Sequence, residues 1–186
     1  MSGVRNVLGD WEVATIVGAA SGQPLNVHTG SIPGLNGGPS GTGYTDNQRP
    51  NVASGVSCHA SGGPPEQILN PDAFTLTGFV LGTPGNSPRG VCEGPGYLQT
   101  DLALYKNIAA TDRVKLQLRF EVFNVFNRVN FSTQNINRIM NPVSVTLDAP
   151  AASATKITGA VLPLNFGQAT LTRDPRQAQF GFKLLF

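Results

Sequence analysis

The stretch Val114-Lys115-Leu116-Gln117-Leu118-Arg119-Phe120-Glu121-Val122 sets the pattern for the rest of the chain. Val114, Leu116, Leu118, Phe120 and Val122 fall on one side of an extended backbone, and Lys115, Gln117, Arg119 and Glu121 fall on the other. A helix groups residues three and four apart, so it would mix these two sets. A strand, with its period of two, separates them cleanly. One face is apolar and the other carries charges and an amide.

Three more segments repeat the alternation. Residues 177–186 set Ala178, Phe180, Phe182, Leu184 and Phe186 against Gln177, Gln179, Gly181, Lys183 and Leu185. Residues 97–108 set Leu98, Leu102, Leu104 and Ile108 against Gln99, Asp101, Tyr105 and Asn107. Lys106 interrupts that apolar face near its end, where a long side chain can snorkel to an interface. Residues 11–20 alternate least cleanly: Trp11, Val13, Val17 and Ala19 oppose Glu12, Ala14, Ile16 and Gly18, which leaves Ile16 on the wrong side. Long strands are therefore expected at 10–20, 97–108, 113–126 and 177–186. Each is about ten residues long, the length a tilted strand needs to cross a bilayer.

The connections differ sharply. Ala109-Ala110-Thr111-Asp112-Arg113 is enough for a hairpin turn. The other two connections, 21–96 and 127–176, are long. Compact soluble domains seldom carry structureless connections beyond about fifteen residues, whereas outer-membrane barrels join short inner turns to long outer loops. The expected fold is all-β: an antiparallel meander of four long strands with two long extracellular loops. The first and third strands run outward, and the last ends on the inner side. The first loop is rich in turn pairs, among them Asn36-Gly37-Gly38-Pro39, Gly62-Gly63-Pro64-Pro65, Asn70-Pro71 and Gly94-Pro95-Gly96. It is read as surface-exposed, with at most short local strands.

Composition agrees. The charged fraction is 13%, against roughly 25% in a soluble domain, which suits a barrel with an apolar outer face and a neutral-polar interior. A formal net charge of +2 without a Lys/Arg cluster gives no sign of nucleic acid. No run of eighteen or more apolar residues is present, which excludes a transmembrane helix. Arg5 and the apolar residues 13–20 imitate a signal peptide, but Asp10 and Glu12 interrupt it. The stretch is read as a strand, and the chain is expected to lack its own export signal.

Candidate functional residues follow from the faces. Asp101, Lys115, Arg119 and Glu121 are expected to face the lumen, either as a substrate path or, the favoured reading, as charges that pair across the sheet and hydrate the interior. Trp11, Tyr97, Phe123, Phe126 and Phe186 sit near strand ends and are read as aromatic girdles at the headgroups, with soluble core packing as the competing reading. Cys58 and Cys92 lie in separate Gly/Pro-rich stretches. An oxidising destination allows a disulfide between them, and two unpaired loop cysteines are an equal alternative. A His/Cys metal site needs three or four ligands at suitable spacing. His28, His59 and the two cysteines are scattered, so surface-loop histidines are the simpler reading. The glycine-rich residues 34–43 follow no βαβ-type strand and open no helix, and no nucleophile elbow or paired-carboxylate pattern stands out. No enzymatic chemistry, cofactor or metal is expected.

Several runs together resemble a known family. Gly94-Pro95-Gly96-Tyr97-Leu98-Gln99-Thr100-Asp101-Leu102-Ala103-Leu104-Tyr105-Lys106-Asn107 is similar to a strand near the end of TonB-dependent receptors that carry a carboxypeptidase-regulatory-like domain. Arg119-Phe120-Glu121-Val122-Phe123-Asn124-Val125-Phe126-Asn127 resembles their "RFE-x-FN-x-FN" strand, and Pro175-Arg176-Gln177-Ala178-Gln179-Phe180-Gly181 their closing "PRQ-x-QFG". Gln179, Gly181, Phe182, Leu184 and Phe186 resemble the terminal signal read by the barrel-assembly machinery.

The resemblance implies the C-terminal part of a transmembrane barrel of about 22 strands, the size class with a plugged lumen. It implies a Gram-negative outer membrane and energy-coupled uptake of a scarce ligand. The implied partners are outer-membrane lipid, the remaining barrel and plug segments, the barrel-assembly machinery, and the TonB complex acting through an N-terminal part that this chain lacks. Two alternatives stand beside it: a soluble or secreted all-β binding module, and a truncated reading frame without independent function.

Overall fold

Period-two alternation gives strands, and apolar faces of matching parity align those strands into one sheet. The computed structural model describes residues 8–35, 48–111, 114–151 and 153–186. Arg5, the turn Asn36-Gly37-Gly38-Pro39, most of the glycine-rich residues 34–43, and Asp112 and Arg113 of the short turn lie outside the described residues. In chain order the strands are β1 (Trp11–Ala20), β2 (Pro24–Leu25), β3 (Asn51–Val52), β4 (Phe74–Thr75), β5 (Cys92–Glu93), β6 (Tyr97–Ala109), β7 (Lys115–Phe123), β8 (Ser144–Leu147), β9 (Ile157–Val161) and β10 (Gln177–Leu185).

Four of these form an antiparallel sheet in the order β1-β6-β7-β10, as the all-β meander reading expects. Its register sorts the faces. Val13, Leu104, Phe120 and Phe180 pair in turn across the whole sheet, as do Ala14, Ala103, Glu121 and Gln179 one step along. The first row is apolar; the second is small and polar. The apolar face is uncovered: Val13 is 65% exposed, Phe120 47% and Phe182 71%. Apolar surface on that scale, running across four strands, marks contact with lipid or a partner. Among the described residues no helix is long and apolar enough to cross a membrane, which says nothing of strands.

The strand bounds differ from expectation at one place that matters. β7 stops at Phe123 and does not continue to 126. Asn124 adopts φ 50°, and the Asn127 N–H donates to the Asn124 carbonyl at 2.8 Å. Apolar Val125 and Phe126 prolong the alternation, but asparagine tolerates the left-handed region and turns the chain there. Lys106 also departs from the snorkelling expectation. It is 5% exposed, its ammonium donates to the Gly9 carbonyl, and it lies 5.3 Å from the Trp11 ring centroid. Gly9, just before β1, thus supplies the oxygen acceptor that solvent would otherwise provide, and Trp11 at the start of β1 adds its aromatic face.

The chain divides into two compact units. One comprises Met1–Ser21, Gly96–Asn130 and Thr172–Phe186, which contain the sheet; the other comprises Gly22–Pro95 and Phe131–Leu171. The long connections, expected as loops, are therefore one folded unit. Leu25, Leu69, Phe79, Met140, Ile157 and Phe166 are each at most 1% exposed in it. The ring of Phe166 stands edge-on to Phe74 at 5.9 Å. The pairs β2–β5, β3–β4 and β8–β9 are short, and isolated bridges such as His28–Ile139, Gln67–Gln168 and Val80–Lys156 join the two connections to each other. Apolar residues that are scattered in sequence and embedded in turns carry no period, so this core left no alternation to read.

Candidate functional site

The polar face of the sheet holds a continuous network at mid-strand. The register sets Glu121 beside Gln179, and sets Arg119 between Tyr105 and Gly181. The Tyr105 hydroxyl donates to Glu121 Oε1 at 3.0 Å, and Gln179 Nε2 donates to the same carboxylate. Arg119 Nε donates to Gln117 Oε1 at 2.8 Å, and Gln117 Nε2 donates to Asn107 Oδ1 at 2.9 Å. The Arg119 guanidinium also lies 5.4 Å from the Tyr105 ring centroid. The two charges of β7 are thus tied to the neighbouring strands through neutral amides and a phenol, with no opposite charge facing them across the sheet in this network. Arg119 and Glu121 belong to this network. Lys115 lies at its far edge, exposed, opposite Ala109 and Leu185 beside the short turn.

Asp101 belongs to a second cluster, at the end of the sheet from which both long connections leave. Its Oδ1 accepts from Gln99 Nε2 at 2.8 Å and from the Asn124 N–H at 2.9 Å. Asn124 is 2% exposed and is used on every side. Its Oδ1 accepts from the Arg128 N–H at 3.0 Å, and its Nδ2 donates to the Arg128 carbonyl at 2.9 Å. Asn130 exchanges two hydrogen bonds with the Leu98 backbone, both at 3.0 Å. Asn127 Oδ1 accepts from the Arg176 N–H at 3.1 Å. Three asparagines spaced three apart therefore pin the ends of β6 and β10 to the end of β7.

This corner frames a cleft of about 400 Å³ lined by Gln99, Phe123, Asn124, Arg173, Asp174 and Gln177. Beside it the Arg173 guanidinium lies 4.5 Å from the Tyr97 ring, whose hydroxyl donates to Gln99 Oε1 at 2.9 Å. Sequence reading missed Asn124, Asn130, Arg173 and this use of Tyr97. The repeated Asn at 124, 127 and 130 was the available signal.

The alternation also corrects the aromatic girdle. Tyr97 shares the parity of Gln99 and Asp101, and a Cβ at Gly18 would sit 3.2 Å from its ring. Phe123 shares the parity of Glu121, opposite Gln177. Both therefore belong to the polar face. Trp11 lies on the apolar face opposite Lys106, and Phe126 and Phe186 lie beyond their strands, 77% and 103% exposed.

The remaining candidates fall in β10 and in the second unit. Phe182 and Leu184 of β10 face the apolar side, opposite Leu118 and Leu116, while Gln179 and Gly181 face the polar side. A Cβ at Gly181 would meet nothing within 4 Å. In the second unit Cys58 and Cys92 are joined by a disulfide, with Cα atoms 5.8 Å apart. His28 pairs with Ile139 through a backbone bridge.

Residues 2–179 match a family described as an outer membrane beta barrel domain. No curated protein and no solved structure matches the chain. The match covers nearly all of the chain and agrees with an antiparallel sheet that is apolar on one face and hydrogen-bonded on the other. In barrels of this kind the apolar outer face is the one that meets lipid. The chain belongs to the outer membrane beta barrel domain family.

Proposed function

We propose that this chain is the C-terminal portion of a TonB-dependent receptor of a Gram-negative outer membrane, contributing closing barrel strands and a ligand-capturing unit, without enzymatic activity. The observation that carries the reading is the placement of the long connections. β1 ends opposite the start of β6, and β7 ends opposite the start of β10, so both leave the sheet at the same end. Segments comprising Gly22–Pro95 and Phe131–Leu171 fold around a core of their own. A connection that folds around its own core, rather than a bare loop, suits capture of a scarce ligand better than a simple porin rim does. The cleft lined by Gln99, Asn124 and Arg173 lies at that end of the sheet.

Further support comes from β10. Packing gives no reason for glycine at 181, because the space around a Cβ there is open. Recognition of Gln179, Gly181, Phe182, Leu184 and Phe186 by the barrel-assembly machinery supplies one. β1 and β10 are the outer strands of the four-stranded sheet, and an open edge is not tolerated in lipid. The remaining barrel segments pair there in this reading, and the TonB complex acts through a plug-bearing N-terminal part.

The gene upstream of Met1 tests the proposal together with the solubility of the chain. An in-frame plug domain, and a requirement for detergent or lipid, are the expected results. A stop codon upstream combined with a water-soluble monomer would sink the receptor reading and favour a secreted binding module.

A further inference from the structure

We propose that Cys58, His59 and Cys92 form a thiol-gated metal site: when the disulfide is reduced, two thiolates and the His59 ring hold one zinc-class cation, and oxidation closes the site. Sequence spacing hides the cluster, because 34 residues separate the cysteines. The fold brings one donor atom from each of the three residues within 4.8 Å of the others.

The tautomer of His59 is set from outside the cluster. Its Nε2 lies 2.8 Å from the Glu93 carbonyl oxygen, which can only accept, so Nε2 carries the proton. Nδ1 then keeps its lone pair, 3.7 Å from Cys58 Sγ. A histidine that donates its other ring N–H to a backbone carbonyl is the usual support for a metal-binding imidazole. With zinc–sulfur bonds of about 2.3 Å and zinc–nitrogen bonds of about 2.0 Å, a tetrahedral centre spaces sulfur and nitrogen about 3.6 Å apart. Cys58 and His59 already stand at that separation. The two sulfurs need only swing apart to about 3.8 Å, which rotation about their side-chain bonds supplies.

The backbone around the cluster is tethered independently of the sulfur–sulfur bond. The Cys58 carbonyl accepts from the Asn70 N–H at 2.9 Å, and Asn70 Nδ2 donates to the Ser57 carbonyl at 3.1 Å. His59 bridges Leu69, and Cys92 pairs with Leu25 in the β2–β5 ladder. Reduction therefore frees the sulfurs without releasing the segments that carry them. Cys92 is buried and His59 is exposed, which leaves the fourth position open to water. Two sulfurs and an imidazole select zinc-class or cuprous ions over magnesium or calcium.

The chemistry balances. A dithiol reductant gives two electrons and two protons to the disulfide and becomes a disulfide itself, leaving two thiols. The divalent cation then displaces both thiol protons into solvent. Closure is the reverse exchange: a small-molecule disulfide takes up the two electrons and two solvent protons to become two thiols, the Cys58–Cys92 bond re-forms, and the cation is released to solvent.

The whole chain in detergent micelles, stripped of metal and kept anaerobic, tests the idea with Co2+ as the probe. A phosphine serves as reductant, becoming the phosphine oxide by taking its oxygen from water, and it competes for metal less than a dithiol would. The reduced chain is expected to bind one Co2+ with a thiolate-to-cobalt charge-transfer band and tetrahedral ligand-field bands, both removed by Zn2+. The oxidised chain is expected to show neither band. His59→Ala keeps both sulfurs and the disulfide, so its folding is checked in the oxidised form; removing a direct ligand is expected to weaken Co2+ binding by at least the roughly 100-fold that loss of an outer-shell partner can cost. Equal affinity in His59→Ala, identical bands in the oxidised chain, no stoichiometric binding after reduction, or loss of strand circular dichroism on reduction would each overturn the site.

Discussion

The sheet and the connecting unit use the same residue type in opposite ways. In the sheet Phe180 and Phe182 are 70% and 71% exposed, while in the connecting unit Phe79 and Phe166 are 1% and 0% exposed. Register and parity organise the first: each phenylalanine lies in a cross-strand row with apolar partners and turns the same way. Three-dimensional closure organises the second, with residues far apart in sequence meeting behind short strands and turns. One region is complete only when lipid covers it, and the other brings its own cover. The hydrophobic effect operates in both, but in the sheet the apolar phase is outside the protein.

That contrast breaks most sharply at Phe166. Truncating a fully buried phenylalanine costs about 3–5 kcal/mol. Phe166→Ala is therefore expected to collapse hydrogen-exchange protection throughout Gly22–Pro95 and Phe131–Leu171, while the amides of β6 and β7 stay protected. Equal loss of protection in the sheet would mean that the two regions form one cooperative fold.

The next largest effect belongs to the lipid face. Phe120 pairs with Leu104 and Phe180 near the middle of the sheet. A cationic side chain on the lipid face at the bilayer midplane costs about 2–4 kcal/mol. Phe120→Arg is expected to lower the yield of correctly folded chain in lipid vesicles and to shift its urea midpoint by a corresponding amount. Lys183→Ala on the opposite face, exposed and outside the hydrogen-bond network there, is expected to change stability by less than about 0.5 kcal/mol. If Phe120→Arg is silent in lipid, the outward orientation of this face is wrong.

How much of this was legible in the sequence follows from the same contrast. β1, β6, β7 and β10 could be read because the alternation of Leu116, Leu118 and Phe120 against Gln117 and Arg119 is itself the fold: no distant contact is needed to choose the face. The polar network was legible in membership, since Arg119 and Glu121 lie where parity puts them. Its partners were not, because Tyr105 and Gln179 reach Glu121 only through the register. Leu25, Leu69, Met140 and Phe166 carried no local signal, because their contacts span the whole insertion. Cys58, His59 and Cys92 failed to stand out as a group for the same reason. Asn124 was missed in another way. Its apolar neighbours Phe123, Val125 and Phe126 prolonged a strand that its positive φ ends.

At that strand end the sheet depends on polar groups more than on apolar ones, which makes Asn124 a sharper probe of the boundary. Losing the hydrogen bonds of a buried side chain in a partly buried corner costs about 1–3 kcal/mol. Asn124→Ala removes the partners of both the Arg128 N–H and carbonyl and places alanine at φ 50°. Urea unfolding in micelles is expected to show a loss in that range, with Asn124→Gly recovering the backbone share alone. A loss no larger than that of Lys183→Ala would remove Asn124 from the structural corner.

The smallest effect separates the regions by pH. Asp148 closes the hairpin between β8 and β9: its carboxylate accepts from Thr155 Oγ1 at 2.6 Å, from the Thr155 N–H at 3.0 Å and from the Lys156 N–H at 3.2 Å. These bonds favour the ionised form, led by the Thr155 hydroxyl, and hold its pKa at about 2, below the ordinary 3.8. A depressed carboxyl pKa stabilises the folded hairpin above the unfolded value, and this contribution is lost as pH falls from near 4 through about 2. Because the group is exposed, the change should stay local: amide exchange at Thr155 and Lys156 quickens over that window while the core around Phe79 and Phe166 keeps its protection. Asp148→Asn keeps one acceptor but has no charge to lose, so its exchange profile is expected to be flat across the same range. A pH step that persists in Asp148→Asn would assign the titration to another carboxylate and leave the hairpin turn held by its backbone alone.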